Sequence, residues 1–161
     1  MKLTSYMRGA FATTFNIILN ALTLGRYVWL EGRVRNGVFR NWAGRFRYNP
    51  KNFVQPTTEA EIVELVKSSK RLRVFGSAHS FNGGVVDDDT LVSLDKYSGV
   101  IWKNAQKKQL AVKAGTRVRD VVKALLDEGL AFAAQPSHDA QSIAGILSTD
   151  VHGTGSNWGF V

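Results

Sequence analysis

Apolar and polar positions repeat along this chain with two different periods, and the changes of period mark out its elements. Asn52-Phe-Val-Gln-Pro56 is a short extended run closed by proline, which predicts a strand. Thr57-Thr-Glu-Ala-Glu61 predicts a helix start, with a threonine cap and acids in the first turn. Ile62, Val63, Leu65 and Val66 then supply an apolar face that runs to Ser69. Leu72-Arg-Val-Phe75 predicts a strand ending at Gly76. Leu91-Val-Ser-Leu94 predicts another, after the acidic turn Asp87-Asp-Asp89. Val100-Ile-Trp102 and Gln109–Lys113 alternate as the two arms of a hairpin. Gly115-Thr116 opens a second helix with the stripe Val118, Val121, Val122, Leu125 and Leu126, stopped at Gly129. Leu130–Ala134 predicts a last short strand. The order β-α-β-β-β-β-α-β predicts an α+β fold, a small mixed sheet flanked by helices.

Residues 1–40 follow neither pattern and are expected to form an arm, with the body beginning at Asn41. Residues 9–25 carry no charge and follow Lys2 and Arg8, the layout of a signal peptide or signal anchor. Thr13, Thr14, Asn16, Asn20 and Thr23 interrupt the stretch and Arg26 ends it, whereas a membrane span needs about 20 mostly apolar residues. A helix here would put Phe11, Phe15, Ile18 and Leu22 on one face, either packed on the body or lying on a membrane surface. A targeting peptide and a nucleic-acid arm are the other readings of the same residues.

Charge sharpens this division. The formal net charge is +8. Residues 1–51 hold nine Lys or Arg against Glu31 alone, while residues 52–161 hold twelve of each sign. The basic character therefore belongs to the arm, and the neutral body disfavours a nucleic-acid binder. The 161 residues suffice for one domain with a core. Without cysteine there is no disulfide framework or thiolate metal site, so redox chemistry would require a bound cofactor.

Two loops carry candidate chemistry. Val74-Phe-Gly-Ser-Ala-His-Ser-Phe-Asn-Gly-Gly84 leaves a strand and is built of small residues, which let backbone N–H groups approach an anion such as a pyrophosphate. Arg71 and Arg73 stand just before it and are expected to add charge. The bland alternative is a tight turn. The second loop runs from Pro136 to Gly155, with Ser142 able to cap a short helix through Ile146; its alternative is a polar surface loop. The three histidines, His79, His138 and His152, have no metal-ligand spacing. Asp87-Asp-Asp89 lacks the spaced ligands of a calcium loop and reads as a solvated turn. Ser148 and Thr149 have no nearby base, and no G-x-G-x-x-G opens a helix, which argues against a serine hydrolase and a nicotinamide dehydrogenase.

Taken as a pair, Gly76-Ser-Ala-His-Ser80 and Ser142-Ile-Ala-Gly-Ile-Leu-Ser-Thr-Asp-Val-His-Gly-Thr-Gly155 resemble the FAD-binding domain shared by vanillyl-alcohol oxidase and p-cresol methylhydroxylase. Within it the likeness is to the aldonolactone oxidase and alditol oxidase branch, and Asn41-Trp-Ala43, Phe53–Val63 and Ala111–Leu126 share in it. The resemblance implies that residues 41–161 are the N-terminal portion of such a domain, incomplete at this length. It implies FAD, joined covalently to His79, with Gly76, Ser77, Ala78, His79, Ser80, Phe81 and Asn82 forming the pyrophosphate loop. Ser137, Ser142, Gly145, Thr149 and His152 would line the other side. The implied activity is oxidation of a CH–OH group in a sugar, polyol or aldonolactone by hydride transfer to the flavin. Two departures stand out: Asp150 occupies a place where the family has Gly or Ala, and Ala78 one where Gly or Arg is frequent. The rival expectation is a non-catalytic accessory or remnant subunit docked to a membrane or partner chain through residues 1–50.

Overall fold

The structure, a computed structural model, describes residues 32–87 and 89–154. The helix expected over residues 9–25 lies outside them.

Residues 33–48 form a three-stranded antiparallel sheet of β1 (Arg33–Arg35), β2 (Val38–Arg40) and β3 (Arg47–Tyr48). Its first turn is Asn36-Gly37, both with positive φ (50° and 74°), as a type I′ hairpin turn demands. Alternation sends Val34, Phe39 and Tyr48 inward and the arginines outward. The fully buried Phe39 packs with Phe75, Ala78 and Leu91, and its ring meets Phe75 edge-on at 5.2 Å. Thus β1 and β2 lie within the segment assigned above to the arm, yet they share the core of the body.

A parallel sheet follows, in the order β4 (Asn52–Val54), β6 (Thr90–Ser93), β5 (Leu72–Phe75). The central strand β6 is buried along its whole length. Helix α1 (Glu59–Ser68) connects β4 to β5. It begins with the expected threonine cap, here a capping box: Thr58 Oγ1 accepts from Glu61 N at 3.2 Å, and the Glu61 carboxylate accepts from Thr58 N at 3.4 Å and from Thr57 N at 2.6 Å. That bond from Thr57 is the main reason the Glu61 carboxyl sits below its ordinary range. The apolar face expected on α1 is not buried, and Val66 stays 63% exposed. The caps, more than burial, define this helix.

The hairpin of β7 (Val100–Asn104) and β8 (Gln109–Val112) forms as expected, with an irregularity between Val100 and Trp102. Helix α2 (Val118–Leu126) buries Val118, Val121, Ala124 and Leu125, and leaves Leu126 exposed. Gly129, at φ +69°, ends the turn that follows it. Thr116 does not cap α2. Its buried hydroxyl accepts from Gly99 N at 2.9 Å and donates to the Lys113 carbonyl at 2.6 Å, tying the hairpin to the helix start. The strand expected over Leu130–Ala134 is irregular chain; three alanines in five residues give a poor strand former. Helix α3 (Ile143–Ser148) closes the described chain. The α+β class holds, though among the described residues the strands fall into three small sheets.

Candidate functional site

The loop after β5 is shaped from behind by residues 32–42. The carbonyl of Ser77 accepts from Gly32 N at 2.7 Å, and that of Ala78 from Trp42 N at 3.3 Å. The carbonyl of His79 accepts from Trp42 Nε1 at 2.9 Å, and that of Ser80 from Asn41 Nδ2 at 3.4 Å. Four successive carbonyls thus point toward the same segment. In a trans peptide the N–H points opposite to the carbonyl, and no cis bond occurs among the described residues. The N–H groups of Ala78, His79, Ser80 and Phe81 therefore face the other way. Ala78 makes this possible by adopting φ +51°, a left-handed conformation that successive-amide anion cradles use. It is buried, and a Cβ added at Gly32 would collide with its methyl group.

Two rings lie against that of His79 in this loop. The Trp42 indole stacks on it at 4.9 Å and 15°, and the His138 ring lies 4.3 Å away, tilted by 39°. Phe81 meets Trp42 edge-on at 5.6 Å and remains 67% exposed. Asn82 folds back on its own turn, its Oδ1 accepting from Gly84 N at 3.0 Å.

Besides the contact of His138 with His79, the second loop meets the first at Gly76. A Cβ on Gly76 would collide with Ser142 Oγ, so only glycine lets the two chains approach this closely. Ser142 is 2% exposed, and its Oγ caps α3 by accepting from Gly145 N at 3.2 Å. Ile143 N bonds Thr116 O and Ala144 N bonds Ala114 O, which fixes α3 against the start of α2. Beside Ser142, Gln141 Oε1 is buried without a hydrogen-bond donor among the described residues, an acceptor suited to a ligand N–H. Thr149 Oγ1 donates to the Gly145 carbonyl at 2.8 Å. Asp150 takes φ +49° just past α3, where glycine would be at ease, and its exposure leaves the carboxylate in water.

The structure thus brings together Gly76, Ser142 and Gly145 at the joint, and His79 with Trp42, Phe81 and His138. Ser137 and His152 are exposed, and His152 Nδ1 lies 2.9 Å from the Gly153 carbonyl. Trp42, His138 and Gln141 were not among the expected site residues. Only the Asn41-Trp-Ala43 likeness pointed toward one of them.

Arg71 and Arg73 do not serve the loop as expected. Asp87 holds both, at 2.9 Å from Arg71 Nη2 and 4.0 Å from Arg73 Nε. Its carboxylate also accepts from Asp89 N at 3.0 Å, and Asp89 Oδ2 accepts from Arg71 N at 3.2 Å. The Asp89 amide first, and the Arg71 guanidinium next, keep the Asp87 carboxyl below its ordinary value. The acidic turn is an arginine clamp rather than a solvated bend. Among the described residues no group of three metal-ligating side chains occurs.

Small residues and four N–H groups facing away from residues 32–42 give an arrangement that can take up an anion. The same residues fall within a stretch that matches the FAD binding domain family, residues 50–159. D-arabinono-1,4-lactone oxidase of Candida glabrata is 36% identical over 138 residues, 81% of this chain and 26% of the relative. The mitochondrial L-galactono-1,4-lactone dehydrogenase of Arabidopsis thaliana is 36% identical over 120 residues, 72% of this chain and 20% of the relative. Cholesterol oxidase of B. sterolicum superposes with a TM-score of 0.64 over 76% of this chain and 25% of that one; at 20% identity this likeness concerns the fold. The chain spans about a quarter of the length of the curated relatives it matches. Fold, loop geometry and family match agree: this chain belongs to the FAD binding domain family, with the p-cresol methylhydroxylase type of fold.

Proposed function

We propose that this protein is an FAD-dependent oxidoreductase, or its flavin-binding part, that oxidises a CH–OH group of an aldonolactone, sugar or polyol. The observation that carries the reading is the loop 76–82, whose carbonyls at residues 77–80 are bound from behind while the rings of Trp42 and His138 lie against His79. Gly76, Ser77, Ala78, His79, Ser80, Phe81 and Asn82 would hold the pyrophosphate. Ser142 and Gly145 keep the opposite wall in register, and Gln141 Oε1 offers it an acceptor. Ser137, Thr149 and His152 would line the same wall. Bound FAD would supply hydride acceptance from the CH–OH carbon. The protein's part is to bind and orient it, and His79 would anchor it covalently through a ring nitrogen. The lactone named in both relatives makes an aldonolactone the substrate class to test first.

The test is the absorption spectrum of the acid-denatured full-length protein. Flavin absorbance is expected to stay with the polypeptide in the wild type and to be lost in His79→Ala. Covalent flavin persisting in His79→Ala would end the assignment of His79.

We also infer that residues 1–50 bring the protein to a membrane surface. The support is their eight basic residues against one acid, together with the uncharged stretch 9–25.

A further inference from the structure

The three-stranded sheet carries a charge pattern that the flavin site does not use. Arg33 pairs with Arg40, and Arg40 with Arg47, so three arginines form one row across three strands. All three are exposed, as is Arg35 on the same face. Directly opposed side chains in an antiparallel pair start about 5 Å apart, where like charges repel. The row cannot turn away, because the alternate residues Val34, Phe39 and Tyr48 are packed in the core; a register slip would expose them. Gly44, at φ +71°, leaves room for the Arg40 guanidinium to lie over the turn: a Cβ there would come within 2.6 Å of Nη2.

Arg45 and Lys51 add to the same segment, and no Asp or Glu occurs from residue 32 to residue 58. Solvated surfaces usually intersperse both signs. Exposed arginines at 35, 40 and 47 on one face complement an anionic surface. Two classes of polyanion compete for it. A nucleic acid would make no use of the uncharged segment just upstream, with Phe11, Phe15, Ile18 and Leu22 at helical spacing. A bilayer with anionic headgroups takes both, apolar side chains in the interface and cations at the phosphates.

We propose that the outer face of the β1–β2–β3 sheet docks on an anionic lipid surface through Arg35, Arg40 and Arg47. The proposal rests on the membrane reading of residues 1–50 and assigns its lipid selectivity to named residues.

The experiment is co-sedimentation of the full-length protein with phosphatidylcholine vesicles, with and without phosphatidylserine. Each arginine near such a surface contributes about a fivefold factor, so the double variant Arg35→Gln/Arg47→Gln should bind phosphatidylserine vesicles about 25-fold more weakly. Arg35→Lys/Arg47→Lys should restore binding, because a point charge suffices, and binding should fall with added salt. Both positions are exposed, and an unchanged thermal midpoint would confirm that the variants fold. Equal binding to neutral vesicles, undiminished binding of the Gln variant, or tighter binding to duplex DNA would each overturn the docking face. Binding to no vesicle at all would overturn the membrane reading beneath it.

Discussion

Replacing Gly76 by alanine adds one methyl group where the backbone of the first site loop meets Ser142 of the second. No positive φ is required of Gly76, so the effect comes from space alone. The new Cβ would collide with Ser142 Oγ and lie 3.0 Å from Ser142 Cβ. Ser142 has nowhere to go: it is buried, and its neighbours Ile143 and Ala144 are hydrogen-bonded to Thr116 and Ala114. Overpacking of this kind costs about 1–3 kcal/mol. Pushing Ser142 off Gly145 N adds about 1 kcal/mol for the lost cap. The sum, about 2–4 kcal/mol, is a large share of a domain's stability. Ser142→Ala alone should cost about 1 kcal/mol through the cap. In the double variant the hydroxyl that collides is gone, so the total should fall short of the sum by about 1–2 kcal/mol. Denaturant titration followed by tryptophan fluorescence, on the wild type and the three variants, closes the cycle. Additive losses, or a Gly76→Ala variant as stable as the wild type, would refute the joint.

Three further expectations concern other parts of the molecule. Trp42→Leu removes both the stack on His79 and the bond to its carbonyl; covalent flavin should form about three- to tenfold more slowly, and Trp42→Phe should recover part of the rate. With three histidines in the chain, the imidazole proton NMR signals can be assigned by mutation, and the His79 signal should move in Trp42→Leu. Asp87 has a folded pKa below its ordinary 3.8, so its contribution is present above that value and is lost as pH falls through the lower folded one. Asp87→Asn should therefore be less stable than the wild type at neutral pH and lose less on acidification below pH 4, as thermal midpoints across that range would register. A variant as stable as the wild type at neutral pH would contradict the clamp.

Much of the fold could be read from the residues because local signals agreed with tertiary ones. Thr58 and Glu61 announce α1, Gly129 stops the turn after α2, and the β7–β8 hairpin follows from alternation. The β1–β2 hairpin was equally well signalled by Arg-Val-Arg-Asn-Gly-Val-Phe-Arg, yet its arginines made the segment look like part of a basic arm. Composition there masked a period-two pattern. In the site, the two loops were recognisable, but not their joint: nothing local to Gly76 says that Ser142, 66 residues later (142 − 76), will sit against it. The same holds for His138 beside His79 and Trp42 behind it, which are products of packing. Arg71 and Arg73 misled for the opposite reason. They lie next to the loop in sequence, but Asp87, beyond it, claims them.

The bracing of the 76–82 loop also sets an order of events during synthesis. Its rear support, residues 32–42, is made before it, and the residue it closes against, Ser142, is made after it. A nascent chain that has just completed the loop has the back of the cradle and lacks the front. Contacts of such long sequence separation form late, after the intervening chain has been fixed. Cofactor capture must therefore wait until the α3 segment has emerged, and a chain arrested before residue 142 would hold an unfinished cradle, however well its loop residues were chosen.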